Sequence, residues 1–352
     1  MDLISIILAF AAGVVGATVG AVQAFVFTGL VGLAGMGVDA AIVAAGGTGI
    51  PFIVGVPFGF WWHPMYAFFG AAVACGYARK MGYIESAKGA AGLALTGLKK
   101  PDVLLVSGIA AVIGRVCMLL LTDPAYIGLA IDGAAATIFV LSVLAKAIFD
   151  GGKIFGTVSE EIKGVGGRFG GHNYAAWLPW QRAGWQKVTI SIGWALVSAA
   201  GTYLLFQYPA TAGFAPFLGF FISAASLFML LIGWEIPVTH HITLPAGYAV
   251  SMLVGASATG IAGVALGDAL IWGLGIGMAG AFIADFWADC FYTYGDFHVD
   301  PPAMAIATLS LCTMTLFPLL GLNTAGIAVP LVIIAICLIV AVLNGTPKEK
   351  AA

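Results

Sequence analysis

One stretch in the second half of the chain concentrates side chains that could do chemistry. It reads DFWADCFYTYGDFHVD and holds four aspartates and one histidine in an otherwise apolar region: Asp285, Asp289, Asp296, His298 and Asp300. Ionisable groups inside or at the edge of a bilayer are costly, so they usually mark a pathway or a binding site. We therefore take this stretch as the first candidate site.

The spacing of these residues predicts a cation or proton-coupling site. Asp285 and Asp289 share one face of a helix, where two carboxylates repel unless a cation or a shared proton lies between them. Asp296, His298 and Asp300 alternate, which places them on one side of an extended segment. Oxygen ligands suit hard cations, whereas a histidine favours a transition metal or a proton relay. All five residues are candidates, with Asp285, Asp289 and His298 as the candidate metal ligands; a solvated loop is the alternative.

A second polar group follows a later apolar run, in the sequence WEIPVTHHITLP. It contains Glu235, His240 and His241. Histidine titrates near physiological pH and can link the binding of a solute to protons. We predict a substrate-side or proton-linked role for these residues, with Asp39 and His63 as their counterparts in the first half. The alternative is an interfacial loop with histidines at headgroup depth.

Membrane helices must position these residues. The chain is 61% hydrophobic and 9% charged, with a mean hydropathy of +1.05, whereas a soluble domain is about 25% charged. So few charges could not cover a soluble protein of this length, so lipid must surround most of it. We predict an all-α, polytopic integral membrane protein of about 11 transmembrane helices, within a range of about 10–12.

The apolar runs divide the chain into two membrane halves. Residues 1–149 form the first half, 150–187 a polar, glycine- and tryptophan-rich cytoplasmic or interfacial loop, and 188–352 the second half with a short basic tail. The predicted spans lie near 4–34, 39–60, 63–78, 102–121, 126–149, 188–207, 214–234, 242–262, 264–284, 301–321 and 325–343. Arg115 and Asp132, on neighbouring predicted helices, are expected to pair.

The basic residues predict the orientation. They cluster in 79–187 and at Lys348 and Lys350, and none lies in 188–347. The positive-inside rule makes the basic loops and the tail cytoplasmic. Three predicted spans precede the first basic loop, which places the N-terminus outside. The expected location is a prokaryotic plasma membrane, with Asp39 and the stretch 285–300 at cytoplasmic ends.

Glycine and proline patterns predict broken or re-entrant helices and two structural repeats. The run GGTGIPFIVGVPFGFWWHP interrupts helical backbone repeatedly, and discontinuous helices form binding sites in many secondary transporters. A kinked helix ending in an aromatic belt is the alternative. Residues 16–35 resemble 260–280, and each segment is followed by an acid and then by a histidine close to a proline.

These features favour an ion-coupled secondary transporter, a symporter of a small solute with Na+ or H+. The alternatives are an ion-translocating membrane subunit of a larger energy-coupling complex, and an intramembrane metalloenzyme built on His240, His241, His298 and the aspartates. No HExxH, P-loop or GxSxG pattern occurs, so these hydrolase and nucleotide-binding signatures are absent, and a transporter is expected rather than an enzyme. Expected partners are the lipid bilayer, a small solute or ion, and further copies or partner subunits, but no nucleic acid. The expected cofactor is Na+ or another bound cation, and His172 is interpreted as a loop histidine.

Overall fold

The computed structural model describes residues 2–170 and 175–344, and every regular element in these ranges is helical. His172 and the basic tail lie outside the described residues. Short helical turns such as Glu160–Gly164 and Pro209–Ala212 join the main helices. The main helices are α1 Leu3–Val19, α2 Ala21–Ala44, α3 Pro51–Gly55, α4 Phe69–Lys80, α5 Pro101–Thr122, α6 Gly133–Phe149, α7 Gly184–Phe206, α8 Leu218–Leu231, α9 His240–Ala256, α10 Leu266–Phe291, α11 Pro301–Leu311 and α12 Ala328–Leu343.

Within the described ranges, five helices are long and apolar enough to cross a membrane: α2, α5, α7, α10, and α11 with its continuation to Leu319. Shorter apolar helices include α1, α6 and α12. On α12 the large side chains of Val332, Ile336 and Ile339 are exposed. A helix with such a surface is suited to contact with lipid. The protein is therefore compatible with an integral membrane location.

The first predicted span, 4–34, is divided at Gly20. This residue has a φ of 103°, a backbone conformation that residues other than glycine rarely adopt. A Cβ at Gly20 would meet the side chain of Gln23 and the carbonyl of Leu93. Because the chain turns here, α2 continues to Ala44, and Asp39 lies inside α2 rather than at the start of a second span.

The glycine- and proline-rich run forms a broken helix. From α3 the chain continues as a π-helix over Val56–Phe60, turns at residues 61–63, and resumes as a second π-helix over Pro64–Phe68 that leads into α4. The backbone of Gly59 departs from helical dihedrals. The interruption predicted from the glycines and prolines is therefore present, and it brings His63 to the junction of the two segments.

One packing arrangement occurs in both halves. In the first half, α1 and α4 run antiparallel to α5. For α1, Gly13 lies against Ser107, and Thr18 near the end of α1 accepts a hydrogen bond from Thr96, just before α5. For α4, the hydroxyl of Tyr77 near its end donates to the carboxylate of Asp102 at the start of α5. In the second half, α7 and α9 run antiparallel to α10 in the same way: Ala195 and Ile242 lie against Gly277, and Lys187 at the start of α7 pairs with Asp285 near the end of α10.

Several helices begin or end together at what we call the basic end, formed by residues 79–100, 146–170, 175–187 and 285–300. Arg79 at the end of α4 pairs with Asp150 after α6 at 3.3 Å. Lys146 of α6 donates a hydrogen bond to the carbonyl of Phe291 at the end of α10. Helix α5 therefore begins at the basic end, whereas its counterpart α10 ends there.

A sequence match accompanies this packing match. Residues 76–95 align without a gap with residues 247–266, and more than half of the aligned positions are identical, including Gly-Tyr-Ala at the start and Gly-x-Ala-Gly within. Both segments fold alike, since Gly89–Gly92 and Gly260–Gly263 are 3-10 turns that follow α4 and α9. The segments paired in the sequence analysis, 16–35 and 260–280, lie in different surroundings: the first contains the break at Gly20 and the second contains the start of α10.

Candidate functional site

Asp285 and Asp289 lie on one face of α10, as predicted, and both pair with basic residues just before and at the start of α7. Arg182 lies 2.6 Å from Asp289 and 3.6 Å from Asp285, and Lys187 lies 2.6 Å from Asp285. The four side chains are at most 12% exposed. Two cations of the chain thus relieve the repulsion between the carboxylates, a role that the sequence analysis gave to a bound cation or proton. Burial alone would lower the pKa of Arg182, but the two carboxylates raise it overall.

Asp296 belongs to a separate cluster at the basic end. It pairs with Arg79 at 2.5 Å and accepts a hydrogen bond from the Ser86 hydroxyl at 2.6 Å. Burial alone would raise the pKa of Asp296, but the hydrogen bonds from Ser86 and the Lys88 backbone, with the charge of Arg79, lower it overall. The ion pair and the hydrogen bonds of this carboxylate therefore link the loop after α4 to the segment before α11.

His298 and Asp300 lie at the wall of the central cavity, unlike the three other residues of the stretch. Asp300 caps α11, accepting a hydrogen bond from the Ala303 N–H at 2.8 Å, and its carboxylate lies 3.5 Å from His298 Nε2. The His298 ring packs edge-on against Phe68 and Tyr292, with centroids 5.5 Å apart in each case. These two residues reach the central cavity, whereas Asp285, Asp289 and Asp296 do not line it.

The central cavity has a volume of about 610 Å³ and is walled by residues of both halves. Ligand pockets for small molecules have volumes of about 300–1,000 Å³. Of the residues predicted from the sequence, His63, His240, His298 and Asp300 line it. Its aromatic wall consists of Phe25, Phe58, Phe68, Trp177, Trp180, Phe217, Phe220, Tyr248 and Tyr292.

The aromatic wall connects the three histidines. Phe25 lies 4.8 Å from His240 between ring centroids, and Phe58 lies 6.0 Å from His63. His63 Nδ1 accepts a hydrogen bond from the Met65 N–H, so a neutral His63 carries its proton on Nε2. His240 is 5% exposed and its Nδ1 has no hydrogen-bond partner among the described residues.

The remaining predicted residues lie outside the cavity. Glu235 is exposed in the segment before α9. His241 is fully buried against Trp177, at 5.6 Å between ring centroids. Asp39 caps α3 by accepting hydrogen bonds from two backbone N–H groups. Helix α2 starts at the basic end, where Gln23 bonds to the loop carbonyl of Gly92, and carries Asp39 to the other end. The expectation that Asp39 shares an end with 285–300 is therefore wrong.

Three polar residues of the cavity wall, Asp132, Tyr248 and Lys88, were not predicted as site residues from the sequence. Asp132 does not pair with Arg115 as expected; it caps α6 and accepts a hydrogen bond from the Tyr248 hydroxyl at 2.7 Å. Lys88 is the only lysine or arginine among the described residues that line the cavity. Its ammonium lies 4.8 Å from the centre of the Tyr292 ring, and burial lowers its pKa.

The structure separates the candidate metal ligands. His298 lies at the cavity, whereas Asp285 and Asp289 lie in the ion-pair network with Arg182. In residues 2–170 and 175–344, no group of three or more His, Cys, Asp or Glu side chains is arranged to hold a metal ion. The described side chains thus offer a cavity with titratable groups rather than a coordination shell.

A family model matches residues 1–167 and residues 168–332. The chain belongs to a family of unknown function, DUF7973. The two matched segments have nearly equal length and meet within the polar segment between α6 and α7, which is also where the two packing arrangements meet. A search of the curated proteins found no match, and neither did a search of the solved structures.

Proposed function

We propose that this DUF7973 protein is a proton-coupled secondary transporter, with the central cavity as its solute site. The observation that carries the proposal is the place of the cavity: it lies between two similar halves of opposite orientation, and both halves contribute titratable residues to its wall. In many secondary transporters, the substrate site lies at the interface of two such repeats.

The fold supports two inverted repeats and a final helix. In the first repeat we count α1, α2, the broken helix α3–α4, α5 and α6 as membrane crossings. In the second we count α7 to α11, and α12 adds one more, for a total of about 11. Because each repeat crosses an odd number of times, the second enters the membrane in the opposite direction. Except for Arg115, every described Lys and Arg lies at the basic end, which we therefore assign to the cytoplasm.

Protons are favoured over Na+ by the chemistry of the cavity wall. The carboxylates with the spacing expected of a cation site, Asp285 and Asp289, already have counterions in Arg182 and Lys187. The cavity instead presents His63, His240 and the pair of His298 with Asp300. Imidazole and carboxylate groups can each bind a proton, so proton binding at these residues changes the charge that a solute meets.

Coupling requires that the solute bind differently to the protonated and deprotonated cavity. In this proposal the Asp300–His298 pair exchanges the proton, and the aromatic wall holds the solute. Rocking of one repeat against the other then exposes the cavity to each side of the membrane in turn.

Solute-dependent proton flux tests the proposal. Purified protein is reconstituted into liposomes that contain a pH-sensitive dye, and organic cations, organic anions, zwitterions and neutral solutes are added in turn. We expect at least one class to drive a pH change that protein-free liposomes do not show. His298→Gln and His240→Gln should abolish this flux, whereas His241→Gln, which alters the neighbouring histidine outside the cavity, should retain it.

Two results would contradict proton-coupled transport. One is the absence of proton flux with all four solute classes. The other is a flux that persists unchanged in both cavity variants, His298→Gln and His240→Gln, since the proton would then move through other residues.

A further inference from the structure

We propose that the cavity binds an amphipathic organic cation with an aromatic or bulky aliphatic body. Its transport rests on the proposed function, whereas its binding can be measured without any transport. The inference follows from the size of the cavity, the chemistry of its wall and the distribution of charge around it.

The size and the wall identify a bulky solute. A volume of about 610 Å³ is of the order that drug-sized ligands occupy. Rings from both repeats face it, among them Phe25 and Phe68 with centroids 5.7 Å apart and Phe25 and Phe220 at 5.5 Å. A continuous wall of rings stabilises an apolar body through burial.

The charge distribution favours a positive solute. Two carboxylates line the cavity, Asp132 and Asp300, and no ion pair with a Lys or Arg involves either of them among the described residues. Their hydrogen bonds come from backbone N–H groups and, for Asp132, from the neutral hydroxyl of Tyr248. These carboxylates would repel an anion and attract a cation.

The one basic side chain of the wall does not offset these carboxylates. Lys88 donates to the carbonyls of Tyr292 and Thr293 at 3.5 and 3.3 Å, and Asp296 and Asp150 lie near enough to act on its charge. Its ammonium also lies over the Tyr292 ring. The negative face of an aromatic ring attracts cations. The contact of Lys88 with Tyr292 shows that one ring of this wall is placed to bind a cation.

An unpartnered buried group points to a polar contact with the solute. His240 lines the cavity, is 5% exposed, and has no partner at Nδ1 in the described part of the chain. Buried polar atoms are normally hydrogen-bonded. An ammonium or amidinium N–H of the solute would supply the missing partner, while the rings of Phe25 and Phe220 hold its apolar body.

A pair of probes with matched shape and opposite charge tests the inference. Tetraphenylphosphonium and tetraphenylborate are titrated into the detergent-purified protein by calorimetry, with protein-free micelles as the blank. We expect saturable binding of the phosphonium and binding of the borate weaker by about tenfold or more. Equal or tighter binding of the borate would overturn the inference.

Variants locate the binding of the probe. Asp300→Asn and Asp132→Asn keep the helix caps, because asparagine caps helices as well as aspartate does, and each should weaken phosphonium binding by about tenfold. Asp123→Asn, a carboxylate outside the cavity wall, is the matched control and should bind normally. Phosphonium affinity unchanged in both cavity variants would contradict the inference.

The outcome is distinguishable from that of the proposed function. Phosphonium binding without proton flux for any solute would refute transport and leave the cation site standing. Proton flux driven only by organic anions would refute the cation site and leave the transporter standing.

Discussion

The carboxylate of Asp289 and the guanidinium of Arg182 form a buried ion pair. Removing one partner of a buried ion pair leaves the other charge uncompensated, which typically costs about 3–5 kcal/mol. We expect Asp289→Asn to lower the free energy of unfolding by about this amount, measured by denaturation in detergent. Glu160→Gln, in the exposed pair with Lys163, is the control and should change stability little. An Asp289→Asn protein as stable as the parent would contradict the role assigned to this pair.

Asp296 predicts a dependence of stability on pH. Its pKa is lower in the folded protein than the usual value of about 3.9, so its ionised form stabilises the fold at neutral pH. This stabilisation is fully present above the unfolded pKa and is lost as the pH falls through the folded value. We expect the melting temperature of Asp296→Asn to be lower than that of the parent at pH 7, with the difference shrinking as the pH falls below about 4. A difference that is independent of pH would contradict this account.

The side chains of stretch 285–300 could be found from the sequence, but their partners could not. Four aspartates and a histidine in an apolar half-chain are conspicuous. Arg182 and Asp289, however, are separated by 107 positions, and no local pattern shows that the segment before α7 folds back against α10. For this reason the sequence predicts a cation or proton-coupling site where the structure has an ion-pair network with Arg182 and Lys187.

At the scale of elements, the break between α1 and α2 depends on Gly20. Any side chain there would have to adopt its φ of 103° and would meet the carbonyl of Leu93. We expect Gly20→Ala to destabilise the protein by about 1–3 kcal/mol, the usual cost of such backbone strain. Gly37→Ala is the control, since a Cβ there meets nothing within 4 Å and alanine favours the helix. Equal stability of the two variants would show that the break does not need glycine.

The ends of a helix can be predicted from the sequence where a local signal such as a proline marks them. Helix α5 begins at Pro101 and ends at Thr122, close to the predicted span 102–121, because proline favours the first turn of a helix. The division of the span 4–34 was missed because it depends on the φ of 103° at Gly20, in a place where the structure leaves no room for a Cβ. Glycine is common in membrane helices, so its presence alone does not mark a turn.

For the whole molecule, the position of the basic end predicts the orientation. In a cysteine-free background, we expect Tyr126→Cys, between α5 and α6, to react with a membrane-impermeant maleimide on intact cells. Lys153→Cys, at the basic end, should react only after the membrane is permeabilised. The reverse pattern would place the basic end outside and contradict the assignment from charge.

The repeat could be expected from the sequence, but the resemblance of 16–35 to 260–280 does not mark equivalent segments of the two halves. Glycine- and alanine-rich helices resemble one another by composition, so 16–35 and 260–280 look alike without folding alike. The match of 76–95 with 247–266 includes a turn and a tyrosine as well as small residues. Tyr77 and Tyr248 both donate a hydrogen bond to an aspartate, a correspondence that only the packed structure shows.

The central claim is that the cavity between the two repeats opens to both sides of the membrane in turn. The most direct test is labelling of Ile306→Cys, on the cavity wall, with a membrane-impermeant maleimide applied from either face of oriented proteoliposomes, in a cysteine-free background. Ile336→Cys, on the exposed apolar face of α12, is the control and should remain unlabelled in lipid. The account predicts that Ile306→Cys is labelled from both faces and that a bound organic cation slows the reaction. Labelling from one face only, at every pH and with every solute, would contradict it.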